Sequence, residues 1–216
     1  MSPGESRERE RAAHLGPERR RPLLLDAALP VFAEHGFAGA SIDAIAEAAG
    51  VTKPVVYACY PGKQELFAAL LAREETRLLE QIGAALPADI DPNDLERTLV
   101  AAFGAYFEGA AATPDSWRLV FQAEHGGDAI VTQRVERARG MATAGIASLA
   151  EKLLRDAGVK DAGRRATLEA RVLVASAEAA VRLMLADPDS WSPQALGRLI
   201  GAGAARAHAA YAEPGD

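Results

Sequence analysis

Apolar residues recur three and four positions apart along most of this chain, and no run alternates convincingly enough to be a strand. The first periodic segment predicts a helix from about Pro17 to His35, with Leu24, Ala27, Ala28, Val31 and Phe32 on one face and Gly36 as its C-terminal stop. Pro30 falls inside that helix. A mid-helix proline loses a backbone hydrogen bond and costs about 3 kcal/mol, so a kink is expected there. Two short helices follow at 41–49 and 52–60, with Ser41 and Thr52 as N-caps whose hydroxyls can accept first-turn amides. Pro54 then lies in a first turn, where proline is tolerated. A long helix over 63–86 is closed by Leu86-Pro87-Ala88-Asp89-Ile90-Asp91-Pro92. Further helices are predicted at 93–111, 115–123, 127–156, 161–185 and 193–211, with breaks at Thr113-Pro114, Gly126-Gly127, Gly158 and Asp187-Pro188. The pattern predicts an all-α fold.

The stretch SIDAIAEAAGVTKPVVYACY, residues 41–60, is the most informative. Gly50 sits between its two helices and can take positive φ at no steric cost. Ala46 is small where the helices must cross closely, and Ile45, Val51 and Val56 form a wedge of core that sets the crossing angle. Small residue, glycine and aliphatics in this order make a helix-turn-helix, whose second helix enters the major groove of DNA. The plainer alternative is a pair of packed helices with no DNA role. The turn, the caps and the flanking Lys53 and Lys63 together favour the first reading.

Residues 25–71, LDAALPVFAEHGFAGASIDAIAEAAGVTKPVVYACYPGKQELFAALL, resemble the N-terminal domain of the TetR family of repressors. The first helix, the corner made by Phe32 and Gly36-Phe37, the helix-turn-helix and the aromatic-x-x-Lys-x-x-Leu run (Tyr60, Lys63, Leu66) carry the likeness. The resemblance implies a three-helix DNA-binding domain over 17–66, then a larger helical effector-binding and dimerisation domain over 67–216, joined by the helix 63–86. It implies phosphate contacts from Thr52 and Lys53, base-edge contacts from Pro54 and Val55, and a phosphate contact from the Tyr57 hydroxyl. It places Ser41, Tyr60 and Lys63 at the DNA backbone too. Where the family often has a basic or polar residue and then histidine, this chain has Ala58 and Cys59, which removes two groups able to meet phosphates. A homodimer on a palindromic operator is implied, with recognition helices about 34 Å apart. So is a small apolar or amphipathic effector that shifts the dimer away from DNA.

Composition sharpens rather than changes this picture. The 216 residues carry a formal net charge of −6, which looks wrong for a partner of DNA. The placement of charge decides, however. Arg7, Arg9, Arg11, Arg19, Arg20 and Arg21 crowd the start, and residues 1–16 read as a disordered charged arm. Acids outnumber bases from Phe67 onward. The single cysteine, Cys59, rules out an intramolecular disulfide and a multi-cysteine zinc site, and it reads as a small packing residue. The start lacks the apolar core of a signal peptide, and the most apolar stretch, Val172 to Ala186, is interrupted by Glu178 and Arg182. A cytoplasmic protein with no membrane association is expected.

Two further constellations invite a function. Phe103, Tyr106 and Phe107 on one helix, with Trp117, Phe121 and His125 on the next, either line an effector cavity or are plain core. Leu168, Val172, Ala175, Ala179 and Leu183 form one helical stripe, and Gly197, Gly201 and Ala204 form a small-residue face on the last helix. Together they suggest a four-helix dimer seam, with burial inside one chain as the competing account. His125-Gly126-Gly127-Asp128 is superficially like an esterase oxyanion loop, but no Gly-x-Ser-x-Gly elbow accompanies it and Asp128 reads as an N-cap. The histidines are scattered, so no metal or cofactor is expected. The rival reading is a helical carrier or enzyme with a non-functional DNA-binding head, but no nucleophile–base pair or cofactor loop supports catalysis.

Overall fold

The structure, a computed structural model, describes residues 16–87, 90–125 and 129–212, with the side chains of Pro92, His125, 129–131 and 211–212 outside that description. The expected arm (Gly16 apart) and the expected cap Asp128 therefore lie outside the described residues. In chain order the helices are α1 (Pro17–Gly39), α2 (Ile42–Ala48), α3 (Lys53–Cys59), α4 (Lys63–Ala85), a 3-10 turn (Pro92–Asp94), α5 (Leu95–Ala112), α6 (Pro114–His125), α7 (Ala129–Asp156), α8 (Ala162–Ala186) and α9 (Pro193–Ala212). No strand occurs among the described residues, and none of their helices is long and apolar enough to cross a membrane.

Packing divides the chain into two compact units, Met1–Thr76 with Asp115–Gln133, and Arg77–Pro114 with Arg134–Asp216. The division differs from a boundary at residue 66, because α4 packs as one piece with the first unit to Thr76 and α6 joins that unit from far along the chain. In the first unit, Leu24, Leu25, Ala28 and Phe32 of α1 meet Ile42, Ile45 and Ala46 of α2, Val56 and Cys59 of α3, and Leu66, Leu70 and Leu71 of α4. Leu119 and Ala123 of α6 close the same core. Gln122 of α6 donates to the Ala33 carbonyl at 2.8 Å, and the Ser116 hydroxyl donates to the buried Glu74 carboxylate at 2.7 Å. Arg73 binds the other oxygen of Glu74 at 2.7 Å and reaches Asp26 of α1 at 2.7 Å, which ties α4 to α1. A buried carboxylate without such partners would cost several kcal/mol.

The expected kink at Pro30 is absent from the backbone angles. The interruption lies at Gly36 instead, at φ 67° and ψ 175°, the one non-helical pair in α1. A proline can keep helical angles when the turn around it adjusts, whereas positive φ needs a residue without Cβ.

The second unit is organised by α9 lying antiparallel against α5. A Cβ on Gly197 would stand 2.7 Å from the Gly104 Cα, and one on Gly201 would stand 2.5 Å from the Val100 Cα. Gln194 reaches Glu108 at 3.0 Å at one end of the pair. This corrects the small-residue face: Gly197, Gly201 and Ala204 are buried inside one chain, where they let two backbones approach, and are not available to a dimer partner. A stripe of small residues specifies a close approach without saying to which helix. On α8, Ala162, Ala166, Ala170, Ala177, Ala180, Val181 and Met184 face inward, and Glu169 pairs with His208 of α9 at 3.0 Å.

Candidate nucleic-acid interface

Local chemistry builds the helix-turn-helix. Ser41 caps α2 by accepting the Ala44 amide at 3.1 Å. Gly50, at φ 65°, ends it in a paired arrangement: the Val51 amide donates to the Ala46 carbonyl at 2.9 Å and the Gly50 amide to that of Glu47 at 3.0 Å. That satisfies carbonyls which a helix end otherwise leaves unpaired. Ile45 and Val56 are fully buried and Ala46 nearly so, while Val51 packs half-buried against the same cluster. Thr52 stands at the N-cap of α3, but its hydroxyl makes no capping bond; the first turn is closed by its carbonyl, which accepts the Val55 amide at 2.9 Å.

With that core beneath, the opposite face of α3 is open. Thr52, Lys53, Pro54 and Tyr57 are exposed, Tyr57 to 45%, and Val55 is half-buried. Ser41 is exposed beside them. Its hydroxyl accepts the cap bond and still carries a proton to donate. Lys53 donates to Asp43 of α2 at 2.9 Å.

Two residues expected at DNA are placed behind this face instead. Tyr60 is 7% exposed and belongs to the core, with its hydroxyl 3.4 Å from the Arg21 carbonyl. Burial pushes its phenol above the ordinary value, against the opposing pull of the Arg21 guanidinium 5.8 Å from the ring. An aromatic at the end of a short helix is as well suited to plugging the bundle as to facing solvent. Lys63 donates to the carbonyls of Phe37 at 2.7 Å, Ala40 at 3.0 Å and Ala38 at 3.5 Å, over the Phe37 ring at 4.6 Å. An ammonium has three donors, and all three are engaged at the α1–α2 corner. Phe32, Phe37 and Phe67 pack together there, Phe67 lying 5.0 Å from each of the other two rings. Replacing Lys63 with Met is therefore expected to lower stability by about 1.5 kcal/mol, the low end for charge-assisted bonds because the corner is partly solvated. It should leave the salt dependence of DNA binding unchanged. Chemical denaturation and binding titrations at two salt concentrations read both effects, and a flatter salt slope with wild-type stability would restore the phosphate role.

The remaining candidates fall into groups. Trp117 and Phe121 touch at 5.5 Å on α6 in the first unit. Phe103, Tyr106 and Phe107 cluster on α5 in the second, Phe107 fully buried 5.1 Å from Tyr106 and 6.3 Å from Phe103. Burial, and then the Glu178 carboxylate, push the Tyr106 phenol well above its usual range. The His125 side chain lies outside the described residues. On α8, Leu168, Val172, Ala175, Ala179 and Leu183 are all exposed, the three large ones to 53%, 50% and 51%. Sequence periodicity gave no sign of the contributions of Gln122, Ser116 and Leu119, whose partners lie 89, 42 or more residues away.

Comparison with known proteins agrees with the helix-turn-helix and the all-helical fold. Residues 24–70 match the model for bacterial regulatory proteins of the tetR family. The chain is 33% identical to the HTH-type transcriptional activator FasR of Mycolicibacterium smegmatis over 165 residues, covering 76% of this chain and 72% of that protein. It is 35% identical to an HTH-type transcriptional repressor of Streptomyces coelicolor over 105 residues, which is 49% of this chain and 50% of that one. Among solved structures, a tetR-family transcriptional regulator from Streptomyces coelicolor superposes with a TM-score of 0.71 at 27% identity, covering 92% of this chain and 84% of its own. A TetR-like transcriptional regulator from a Rhodococcus species gives 0.64 at 27% identity, covering 86% and 93%.

Proposed function

The chain belongs to the tetR family of bacterial regulatory proteins, which are transcription regulators and not enzymes, and from that premise we propose that it is a ligand-responsive homodimeric repressor of a palindromic operator. The observation that carries the reading is the exposed face of α3, set on a buried wedge of Ile45, Ala46 and Val56. In this reading the Thr52, Tyr57 and Ser41 hydroxyls bind phosphates, while Pro54 and Val55 offer apolar contact to base edges such as a thymine methyl. Arg19 and Arg21, exposed at the start of α1, extend the basic contact to the neighbouring backbone. The α8 stripe of Leu168, Val172, Ala175, Ala179 and Leu183 forms the dimer seam, since half-exposed large aliphatics in one line are what a partner helix covers. The effector is small and apolar or amphipathic, held in the second unit, with the aromatic cluster of Phe103, Tyr106 and Phe107 on α5 as its candidate contact. The protein acts in the cytoplasm, where bacterial DNA lies.

A second reading, activation, is favoured by the name of the Mycolicibacterium relative. A reporter driven by the upstream region, with and without the protein, separates the two signs. DNA binding itself is tested by fluorescence anisotropy on that upstream duplex. Tight, salt-sensitive and sequence-dependent binding is expected. Tyr57→Phe should weaken it about thirtyfold, the size of two lost hydrogen bonds of about 1 kcal/mol each, one per subunit. Weak binding, equal on random DNA, would sink the proposal and favour the carrier reading.

A further inference from the structure

A helix-turn-helix that meets a polyanion is expected to carry positive charge, yet this one does not. Between Ser41 and Tyr60 the charged side chains are Asp43, Glu47 and Lys53, two acids against one base. The next base, Lys63, is engaged with backbone carbonyls. Lys53 is the first residue of α3, and Asp43 lies in the first turn of α2, ten residues earlier. Their 2.9 Å ion pair bridges the two helices on the solvent side, with side-chain exposures of 46% and 70%. The hydrogen bond to Asp43, and then its charge, raise the Lys53 amine's affinity for its proton. Nothing in the core needs the pair, because Ile45 and Val56 already fix the crossing of the helices.

We propose that Asp43 limits sequence-independent DNA affinity: it holds the Lys53 ammonium and so withholds a phosphate contact at the start of the recognition helix. This rests on the DNA-binding reading above. On a duplex of any sequence a phosphate must displace Asp43 from Lys53, and the displaced carboxylate is then left facing the DNA backbone. Gain and loss nearly cancel, so the contact contributes little affinity or counterion release. The protein is thereby less detained on the great excess of non-operator DNA, where phosphate contacts supply essentially all of the binding.

The probe is a random-sequence duplex of about 30 base pairs, long enough for two half-sites, titrated with full-length protein at about 50 and about 200 mM salt. Asp43→Asn keeps the shape and removes the charge. Each bound dimer frees two Lys53 side chains, so the variant should bind the random duplex about ten- to twentyfold tighter at the lower salt, and its log–log salt slope should steepen by about two. Adding Lys53→Met should abolish both changes, because Asp43 acts through Lys53. Unchanged affinity in Asp43→Asn, with the wild type binding, would overturn this assignment alone. So would a gain that survives the Lys53→Met background, which would mean that the carboxylate acts by charge at a distance. Failure of wild type and variant alike to bind at the lower salt would overturn the DNA-binding reading as well.

Discussion

A leucine at position 201 should destabilise the protein by about 3 kcal/mol, the upper end of ordinary overpacking, and lower its melting temperature by about 6–12 °C. The added Cβ would begin 2.5 Å from the Val100 Cα and 2.6 Å from its amide nitrogen, and both are backbone atoms. A flexible side chain could swing aside; a helix axis has to move, and α5 and α9 lie together along most of their length. Gly203, two positions on, supplies the control. A Cβ there meets nothing within 4 Å. Gly203→Ala should therefore stabilise the protein by about 0.5–1 kcal/mol, through helix propensity alone. Thermal unfolding followed by circular dichroism separates the two. Equal melting temperatures for the Gly201 variant and the wild type would show that α5 and α9 are not held this close.

An aspartate at Val172 should leave the fold intact and convert the protein to monomers, with operator affinity lower by two orders of magnitude or more. Val172 is 50% exposed at the middle of the α8 stripe, so within one chain the new carboxylate keeps its water. Across a seam between α8 and its symmetry mate the same carboxylate would meet its own copy in an apolar contact, and an unpaired buried charge costs several kcal/mol. Two half-sites bound by separate monomers lose the effective concentration that linkage supplies, commonly a factor of about 10² to 10⁴. Light scattering on a sizing column gives the mass, and anisotropy on the upstream duplex gives the affinity. A dimer that persists in Val172→Asp would move the seam elsewhere.

These two experiments also mark what was readable in the chain. The stripe on α8 could be seen as a line of apolar residues at helical spacing, and the structure leaves those residues exposed. Gly197, Gly201 and Ala204 were visible as a close-approach face, but periodicity carries no information on which helix approaches. The helix-turn-helix was legible because its determinants are local. Gly50 must take positive φ, Ser41 caps within three residues, and Ile45 and Val56 are set by one crossing. Tyr60 and Lys63 pack against α1 and the α1–α2 corner; their chemistry suits either side of the bundle, and only the position of α1 decides. The Arg21 carbonyl and the Phe37–Ala40 carbonyls that receive them lie 23 to 39 residues back in the chain.

The membership of α6 in the first unit bears on how such a protein can be taken apart or recombined. A head cut at Thr76 would keep the whole helix-turn-helix, yet it would lose Leu119 and Ala123 from its core and the Gln122 amide from the Ala33 carbonyl. It would also leave the Glu74 carboxylate without its hydroxyl partner. The portable module is discontinuous. A chimera that transplants this DNA specificity onto another sensor needs to carry residues 115–125 with the head, and a library that shuffles at a single crossover after α4 breaks the module it means to move.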